Sequence, residues 1–307
     1  MAKFANSSRQ AASVMKGLQG SVIRSVGTTR NYEKALKRIT DHMKSNRLGS
    51  LRDITPESAV TYLKERAETV GQKTLDMERQ ALQSMMQHIT KTLPEGKKLA
   101  VVKSTASPNH KTGSGNHGRR LSEQSRAYTR EQVELISTKQ SDHNALATRI
   151  AHASGLRAHE LLTLSRLHRQ QPDVRPKHQR KFNGIYDQSL AYTVKGKGGL
   201  IREIRIPIDL ARQLEARRLA TPRIVIDRGI SYKQTYNIGG GQPWSNSFSS
   251  ASKSALGWSN GGHGLRHSYA QNRMAYMQKE TLRDEAKLVV SQELGHFRPE
   301  ITEVYLR

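Results

Sequence analysis

The chain has 307 residues, and its 51 lysines and arginines against 26 aspartates and glutamates give a net charge of +25. Such a charge favours a polyanionic partner, most commonly nucleic acid, with a membrane surface as the competitor. No apolar run approaches the roughly 18 residues of a membrane span, there is no signal-peptide core, and the absence of cysteine excludes disulfides and thiolate metal sites.

These exclusions predict a soluble protein, and a reducing cytosol is compatible with them. The length predicts about two domains. The first 32 residues contain no acidic residue but carry Lys3, Arg9, Lys16, Arg24 and Arg30. A transit peptide has this composition, but so does a basic arm that follows a DNA backbone, and the motifs described below favour the arm. We therefore expect a basic N-terminal extension over residues 1–27.

Residues 28–102 have the pattern of a small all-helical unit. One predicted helical face carries apolar residues at spacings of three and four, namely Tyr32, Leu36, Ile39 and Met43. Thr55 and Pro56 are typical of an N-cap and a first helical position. A third apolar-periodic stretch runs from about residue 73 to residue 89. The sequence therefore predicts a helical domain with a modest core.

Residues 103–126 are rich in Ser, Gly and Asn and contain one acidic residue, Glu123, so they are expected to form a flexible basic linker. A second domain over residues 127–307 opens with a capping-box pattern that begins at Thr129. Helical periodicity continues to Ala153, and Gly155 interrupts it. The next helix is expected to begin near Arg157.

A β-hairpin is expected in the middle of the second domain. Apolar and polar residues alternate on both sides of the segment 196–199, and the alternating apolar residues are Leu190, Tyr192, Val194, Ile204 and Ile206. The glycines of segment 196–199 suit a tight turn between two antiparallel strands. This turn presents Lys197 at its tip.

Four short stretches could carry chemistry: GLRAHELL (155–162), VKGKGG (194–199), HGLRHSYA (263–270) and LGHFRPEITEVYLR (294–307). Each alone has an ordinary structural interpretation. Arg157 and Glu160, predicted on one helix face, could be a surface ion pair. His263 could be a buried or capping histidine, Lys197 a solvated turn residue, and Tyr305 a packing residue.

Together the four stretches supply the side chains that phosphoryl transfer needs. Two guanidinium groups can hold the charge that develops on non-bridging phosphate oxygens. A lysine on a hairpin tip can protonate a leaving ribose oxygen, and a tyrosine hydroxyl can attack if histidines assist it. The candidates are Arg157, Arg266, Lys197, His263, His296 and Tyr305.

In this order, the four stretches resemble the tyrosine recombinase or phage integrase family, which is related to the type IB topoisomerases. The family's G-L-R-x-x-E-L turn is matched at Arg157 and Glu160, and its G-K-G hairpin at Lys197. Its H-x-L-R-H motif is matched by His263, Leu265, Arg266 and His267. Its L-G-H motif is matched at His296, and the tyrosine that follows nine residues later is Tyr305. The resemblance covers residues 127–307, and the helical segment 28–102 is similar to the family's core-binding domain.

The resemblance implies a mainly α fold: an α+β catalytic domain with a small antiparallel sheet, and an all-α SAM-like N-terminal core-binding domain. It also implies strand cutting and rejoining through a 3′-phosphotyrosyl intermediate, without metal, ATP or other cofactor. The implied partners are double-stranded DNA, a homotetramer on two paired DNA sites, and an accessory DNA-bending or directionality factor. A bacterial cell carrying a mobile element is the implied setting, with the protein in the cytoplasm at the nucleoid.

The family's residue roles carry over to matching positions. Tyr305 would be the nucleophile, and Arg157 with Arg266 would stabilise the pentavalent phosphate. The remaining implied roles are a hydrogen bond from His296, general base or acid catalysis by His263, protonation of the leaving oxygen by Lys197, and orientation of neighbouring groups by Glu160. His267 is expected to be structural.

The chain departs from the family pattern at three places. Only two residues follow Tyr305, so the C-terminal helix that docks on the next subunit in many members is not expected. Segments 168–188 and 235–260 are longer than the family's usual connections; the first is basic and could touch DNA, and the two tryptophans of the second are expected to pack. Lys195 competes with Lys197, although the flanking glycines favour Lys197.

Three alternatives remain at this stage. His263 and His267 have a spacing that could bind zinc in a metal-dependent nuclease, but no H-E-x-x-H glutamate accompanies them and Arg266 opposes a cation. A non-catalytic nucleoid or RNA-binding protein would explain the charge but not the motifs. A type IB topoisomerase or telomere resolvase would share the covalent chemistry without strand exchange between two sites.

Overall fold

The computed structural model describes residues 5–23, 26–106 and 125–306, apart from the side chains of Val26 and Lys197. The described chain is mainly helical and carries two small antiparallel sheets. It divides into two compact units, Met1–Arg119 with Arg228–Ile230, and Arg120–Asp227 with Ser231–Arg307. None of the helices in the described ranges has both the length and the apolar composition that a membrane crossing requires.

In its described residues, the first unit is a bundle of four α-helices. These are α1 (Ser7–Leu18), α2 (Val26–Ser45), α3 (Pro56–Ala67) and α4 (Gln72–Met85), with a π-helical turn over Met86–Thr90. The expected face of α2 is confirmed, since Leu36, Ile39 and Met43 are buried in the core. The cap of α3 is confirmed as well, because the backbone N–H of Ser58 donates to Thr55 Oγ1 at 3.2 Å.

Helix α1 contradicts a free basic extension over residues 1–27. Asn6 caps the helix by accepting a hydrogen bond from the backbone N–H of Arg9 at 2.8 Å, and the side chains of Ala11, Val14 and Leu18 are fully buried. The apolar residues at spacings of three and four form a buried helical face even though basic residues surround them. The helical unit therefore begins about 20 residues earlier than expected.

The beginning of the expected linker also belongs to the first unit. The backbone N–H of Ser104 donates to Gln72 Oε1 at 2.8 Å, and that of Thr105 donates to the carbonyl of Ala67 at 2.9 Å. Residues 103–106 are therefore held by hydrogen bonds to α3 and α4. The remainder of the predicted linker, 107–124, lies outside the described residues.

The second unit surrounds a three-stranded antiparallel sheet with helices. Its strands are β1 (Ser165–Arg166), β2 (Ser189–Lys195) and β3 (Ile201–Pro207) in the order β1-β2-β3, and a separate pair is formed by β4 (Arg218–Asp227) and β5 (Ile230–Tyr236). Its helices are α5 (Arg130–Ser137), α6 (Asp142–Ser154), α7 (Ile208–Glu215), α8 (Gly241–Leu256), α9 (Gly264–Met277), α10 (Arg283–Leu294) and α11 (Pro299–Thr302).

The hairpin expected between residues 190 and 206 is confirmed. Strands β2 and β3 pair antiparallel, with Tyr192 opposite Ile204 and Lys195 opposite Ile201. A short 3-10 turn over Lys197–Gly199 connects them, and its glycines at 198 and 199 have φ of 78° and 88°. Residues with a Cβ atom rarely adopt this left-handed backbone conformation, so glycine at these two positions allows the tight turn.

Two features of the second unit differ from the sequence prediction. No α-helix begins near Arg157; residues 158–159 form a turn that leads into a short 3-10 helix over Glu160–Thr163. The pair β4–β5 was not predicted, because half of the residues of β4 are exposed, only one is buried, and Pro222 lies within the strand, which obscures the alternation of a half-buried strand.

The two long connections are held within the second unit. In segment 168–188, the backbone N–H of His178 donates to Gln292 Oε1 at 2.8 Å and that of Phe182 donates to Glu293 Oε1 at 2.9 Å. Segment 235–260 contains α8, whose Trp244 is buried as a packing residue. Trp258 is 40% exposed and stacks on Tyr128 at 5.2 Å between ring centroids.

Candidate active site

Arg157 and Glu160 form an ion pair in the turn that follows α6. Arg157 Nη1 donates to Glu160 Oε1 at 2.8 Å, and the backbone N–H of Arg157 donates to Oε2 at 2.9 Å. The Glu160 carboxylate is fully buried. Burial alone would raise its pKa, but Arg202, Arg266 and Arg157 together hold that pKa well below its usual range. Glu160 is therefore a carboxylate that fixes the neighbouring guanidinium groups.

Arg266 lies in the first turn of α9, and its side chain is fully buried. Its guanidinium donates to the carbonyl oxygens of Gly155 and Leu294, and Nη1 lies 3.9 Å from Glu160 Oε2. Burial and the charge of Arg157 lower the pKa of Arg266 to about 10, against an opposing effect of Glu160. The side chain therefore stays protonated at neutral pH.

One ring nitrogen of His296 accepts hydrogen bonds from both arginines. Arg157 Nη2 lies 3.0 Å and Arg266 Nη2 lies 3.1 Å from His296 Nε2. Burial, followed by the charges of Arg266 and Arg157, lowers the pKa of His296 to about 3, so the ring is neutral at pH 7. Guanidinium groups only donate, so Nε2 must be the acceptor and the ring proton is on Nδ1. Nδ1 is buried and has no hydrogen-bond partner among the described residues.

Tyr305 lies against the same histidine, in a 3-10 turn that directly follows α11. Its side chain is buried, and its ring stacks on that of His296 with 5.2 Å between centroids and 26° between planes. The guanidinium carbon of Arg266 lies 5.5 Å from the centre of the tyrosine ring. The tyrosine that the sequence singled out therefore belongs to the arginine cluster.

Two further histidines flank Tyr305 from the start of α9. The ring centroid of His263 is 5.4 Å and that of His267 is 4.9 Å from the tyrosine ring. His263 is exposed, whereas His267 is buried. Desolvation and the charge of Arg266 lower the pKa of His263, and desolvation and Arg126 lower that of His267 to about 4. At pH 7 both rings are in the neutral form, which can accept a proton.

The hairpin tip approaches this cluster from another side. A Cβ atom placed on Gly196 would lie 3.3 Å from Glu160 Oε1, so the backbone just before Lys197 packs on the carboxylate. The side chain of Lys197 lies outside the described residues, and its expected role stays a prediction. Lys195, the competing lysine, is exposed at the end of β2.

Arg202 was missed by the motif search. Its Nη2 donates to Glu160 Oε2 at 2.9 Å, and its side chain is 3% exposed. The strand pattern contained a signal for it, because Arg202 shares the inward face of β3 with Ile204 and Ile206. An arginine at an inward strand position needs a buried partner, which here is Glu160.

The six described candidates, Arg157, Glu160, His263, Arg266, His296 and Tyr305, therefore form one cluster. Three guanidinium groups surround a single carboxylate, and two of them converge on one neutral acceptor beside a tyrosine. Such an arrangement has an excess of positive charge in a desolvated setting. It is suited to hold an anion with shared oxygen acceptors next to a hydroxyl nucleophile.

Comparisons with known proteins identify a matching domain and similar folds. A family model described as the phage integrase N-terminal SAM-like domain matches residues 15–91. The XerH site-specific recombinase bound to palindromic difH substrate, in a post-cleavage complex, matches with a TM-score of 0.52 at 16% identity over 98% of this chain and 90% of that chain. A lambda integrase tetramer bound to a Holliday junction matches with a TM-score of 0.48 at 17% identity over 97% and 76% of the two chains.

The comparison with curated proteins gives no match. At 16% identity the XerH match establishes the fold, and the domain model independently identifies most of the helical first unit. Both agree with the mainly α architecture. Residues 15–91 therefore match the phage integrase N-terminal SAM-like domain, and the fold of the chain is similar to that of the XerH site-specific recombinase.

Proposed function

We propose that the chain is a site-specific DNA recombinase that cuts and rejoins strands through a 3′-phosphotyrosyl intermediate. The observation that carries this proposal is the convergence of Arg157 Nη2 and Arg266 Nη2 on His296 Nε2, at 3.0 and 3.1 Å, beneath the stacked ring of Tyr305. A non-bridging phosphate oxygen is, like Nε2, an acceptor that two guanidinium groups can share.

In the cleavage step, Tyr305 Oη attacks the scissile phosphorus. The new bond joins the tyrosine oxygen to phosphorus, and the bond between phosphorus and the 5′ oxygen breaks. His263 is the proposed acceptor of the tyrosine proton, since its ring lies 5.4 Å from that of Tyr305 and is open to solvent. Rejoining reverses the step, with a 5′-hydroxyl of the partner strand as the nucleophile and the tyrosine as the leaving group.

The arginines act on the charge that develops during the attack. A phosphodiester carries one negative charge, and its pentavalent transition state carries more on the non-bridging oxygens. Arg157 and Arg266 are held in place by Glu160 and by backbone carbonyls, so little reorganisation is needed when that charge appears. His296 is the proposed further donor to the same oxygens: once a phosphate oxygen replaces Nε2 as the acceptor of the two arginines, the ring can carry its proton on Nε2 and donate it.

Lys197 is the proposed donor of the proton to the leaving 5′ oxygen. Its backbone lies in the turn next to Gly196, which packs on Glu160. A leaving alkoxide is expelled slowly unless it is protonated. The position of the turn beside Glu160 supports Lys197 as this donor.

Double-stranded DNA is the proposed partner. The net charge of +25 supplies the attraction to phosphates, and XerH is bound to difH substrate in the matching structure. Exchange between two duplexes breaks four strands, and one tyrosine per strand requires four copies of the chain. We therefore propose a homotetramer on two paired sites, acting in the integration or excision of a mobile element with an accessory DNA-bending or directionality factor.

Covalent trapping in a bacterial host tests this function. Wild-type protein, Tyr305→Phe and the control Tyr276→Phe are expressed, the cells are lysed in detergent with EDTA, and protein-linked DNA is precipitated and sequenced. Tyr276 is a matched control because it is an exposed tyrosine of α9 in the same unit. We expect wild type and the control to capture the same discrete sites and Tyr305→Phe to capture none.

Equal capture by all three proteins would refute Tyr305 as the nucleophile, and cut DNA without any protein-linked DNA would favour the metal-dependent alternative. A duplex carrying the captured site then separates recombination from topoisomerase or telomere-resolvase activity. Recombination predicts exchanged strands between two labelled duplexes. Relaxation of supercoiled DNA or hairpin formation without exchanged strands would favour the other two enzymes.

A further inference from the structure

Arg202 is a buried arginine with two well-defined acceptors. Its Nη2 donates to Glu160 Oε2 at 2.9 Å, and its Nη1 donates to the backbone carbonyl of Glu293 at 2.7 Å. The side chain is 3% exposed. Arginine suits this place because its fixed fork of donors can satisfy two acceptors in different directions.

These two hydrogen bonds connect three parts of the site. Arg202 lies on β3, opposite Val194, so it is part of the hairpin that carries Lys197. Glu160 belongs to the turn that carries Arg157. Glu293 lies in the last turn of α10, whose next residue, Leu294, accepts a hydrogen bond from Arg266 and lies two residues before His296. A cation is also favoured at this helix C-terminus by the helix dipole.

Gly295 provides a second, independent sign that this packing is specific. A Cβ atom at Gly295 would lie 2.6 Å from Arg202 Cδ, and the residue has φ of 72°. A side chain here would be strained by its backbone conformation and would also collide with the stem of the arginine. The close approach of β3 to the end of α10 therefore depends on glycine at this position.

We propose that Arg202 is a positioning residue for phosphoryl transfer, which acts through Glu160 and the end of α10 to hold Arg157, Arg266 and His296 in their converging arrangement. The proposal rests on the proposed recombinase function. Arg202 does not touch the phosphate. It fixes the second oxygen of the carboxylate whose first oxygen holds Arg157.

The charge count around Glu160 supports this role. Arg157, Arg202 and Arg266 contribute three positive charges and Glu160 one negative charge, which leaves two in excess while His296 is neutral. Two positive charges match the phosphate as its charge grows toward the transition state. Without Arg202, Glu160 would neutralise half of the charge that the remaining two arginines carry.

A merely structural ion pair makes a different prediction. In that case loss of Arg202 would lower thermal stability and leave the chemistry of the folded protein unchanged. A positioning role predicts a slower chemical step in folded protein that still binds DNA. The two possibilities are separated by measuring stability, DNA binding and single-turnover cleavage on the same variants.

The first variant, Arg202→Met, keeps the apolar part of the side chain and removes its charge. The second, Arg202→Lys, keeps the charge but lacks the planar guanidinium that donates in two directions. Arg205→Met is the matched control, because Arg205 is on the same strand and pairs with Glu203 rather than with Glu160. Cleavage is measured on a nicked duplex that carries the site captured by wild-type protein. Absence of cleavage by the wild-type protein would refute the proposed function. The role of Arg202 is tested separately, by the ratio of the variant's cleavage rate to the wild-type rate.

We expect Arg202→Met to slow covalent-complex formation by about ten- to a hundredfold, because small misplacements of aligned groups have effects of that size. DNA affinity and the Arg205→Met rate are expected to stay at wild-type levels, and Arg202→Lys is expected to recover only part of the loss. Wild-type rates in both Arg202 variants would overturn the proposal. If Arg202→Met fails to fold, Arg202→Lys alone decides the outcome in the same way.

A duplex with sulfur in place of the 5′ bridging oxygen identifies the route of the effect. A thiolate leaves without being protonated, so this substrate does not need Lys197. We expect the defect of Arg202→Met to persist on it, because the proposed route runs through Glu160 and the arginines. Full recovery on the sulfur substrate would overturn that route and assign the effect to the lysine hairpin.

Discussion

Glu78 in the first unit and Glu160 in the second are both fully buried carboxylates bound by arginines. Glu78 accepts hydrogen bonds from Arg66 through two nitrogens, from Arg38 at 2.6 Å and from the hydroxyl of Tyr62 at 2.9 Å. The side chain of Arg38 is half exposed. In this cluster the arginine donors end on the carboxylate, on Thr69 Oγ1 or in solvent.

The arginines around Glu160 are arranged differently. Arg266 is fully buried, and Arg157 and Arg266 each extend a second nitrogen to His296 Nε2. The same pairing of glutamate with arginine therefore serves two purposes. At Glu78 it joins helices, whereas at Glu160 it also aims spare donors at one point beside Tyr305.

Removing either carboxylate charge is the largest change that tests this comparison. We expect Glu78→Gln and Glu160→Gln each to lower the free energy of unfolding by about 3–5 kcal/mol, because buried arginines are left unpaired. Urea unfolding measures this loss. Only Glu160→Gln is expected to slow cleavage by folded protein, and an equal slowing in Glu78→Gln would contradict the comparison.

Removing one arginine from each cluster tests the aimed donors. We expect Arg266→Ala to slow single-turnover cleavage by about a hundred- to a thousandfold, as is typical when a transition-state donor is lost. Arg66→Ala, its counterpart at Glu78, is expected to affect stability but not the cleavage rate. Similar cleavage rates in the two variants would show that Arg266 is also only structural.

The two clusters also differ in how their stability should depend on pH. The partners of Glu78 named above include no histidine, whereas His267 lies beside Tyr305 in the second unit. The folded state holds the pKa of His267 at about 4, below its ordinary 6.5, so the unfolded state binds the proton more readily. The stability that this histidine contributes is therefore complete above pH 6.5 and is lost as the pH falls toward 4.

We expect the free energy of unfolding to fall by up to about 1.4 kcal/mol per pH unit for this histidine below pH 6.5. In His267→Asn, the difference in unfolding free energy between pH 7 and pH 5 should shrink by about 2 kcal/mol. Denaturant unfolding at the two pH values provides the measurement. An unchanged difference would mean that His267 is not the group whose protonation opposes folding.

The smallest effect is expected at an exposed ion pair. Glu303, two residues before Tyr305, lies 2.5 Å from Arg283 and 3.7 Å from Lys287, and all three side chains are partly exposed. We expect Glu303→Gln to lower stability by less than about 1 kcal/mol. Cleavage should stay near the wild-type rate at low and at high salt. A large salt-dependent loss would mean that this pair holds the tyrosine in place.

The comparison also shows what a sequence can predict. The motifs located Arg157, Glu160, His263, Arg266, His296 and Tyr305, because the spacing of chemically distinctive residues is visible without coordinates. The hairpin was predictable from its alternation and its glycine turn. Helix α3 was predictable from its cap, since the Thr-Pro pattern acts locally.

The errors came from features that local patterns represent poorly. Helix α1 was hidden by its basic residues, although its buried face has helical spacing. A helix was expected at Arg157, where the backbone instead turns so that its N–H reaches Glu160. Arg202 escaped notice because its importance depends on Glu160, which is 42 residues away in sequence. The only sign of such a long-range pair in the sequence is a charged residue at an inward-facing strand position.

The most direct test of the central claim is to identify the amino acid and the DNA end that form the covalent link. Wild-type protein trapped on DNA is digested with nuclease and protease, and the adduct is sequenced by mass spectrometry. The account predicts a nucleotide attached through its 3′-phosphate to Tyr305. A link to any other residue, or to a 5′-phosphate, would contradict it.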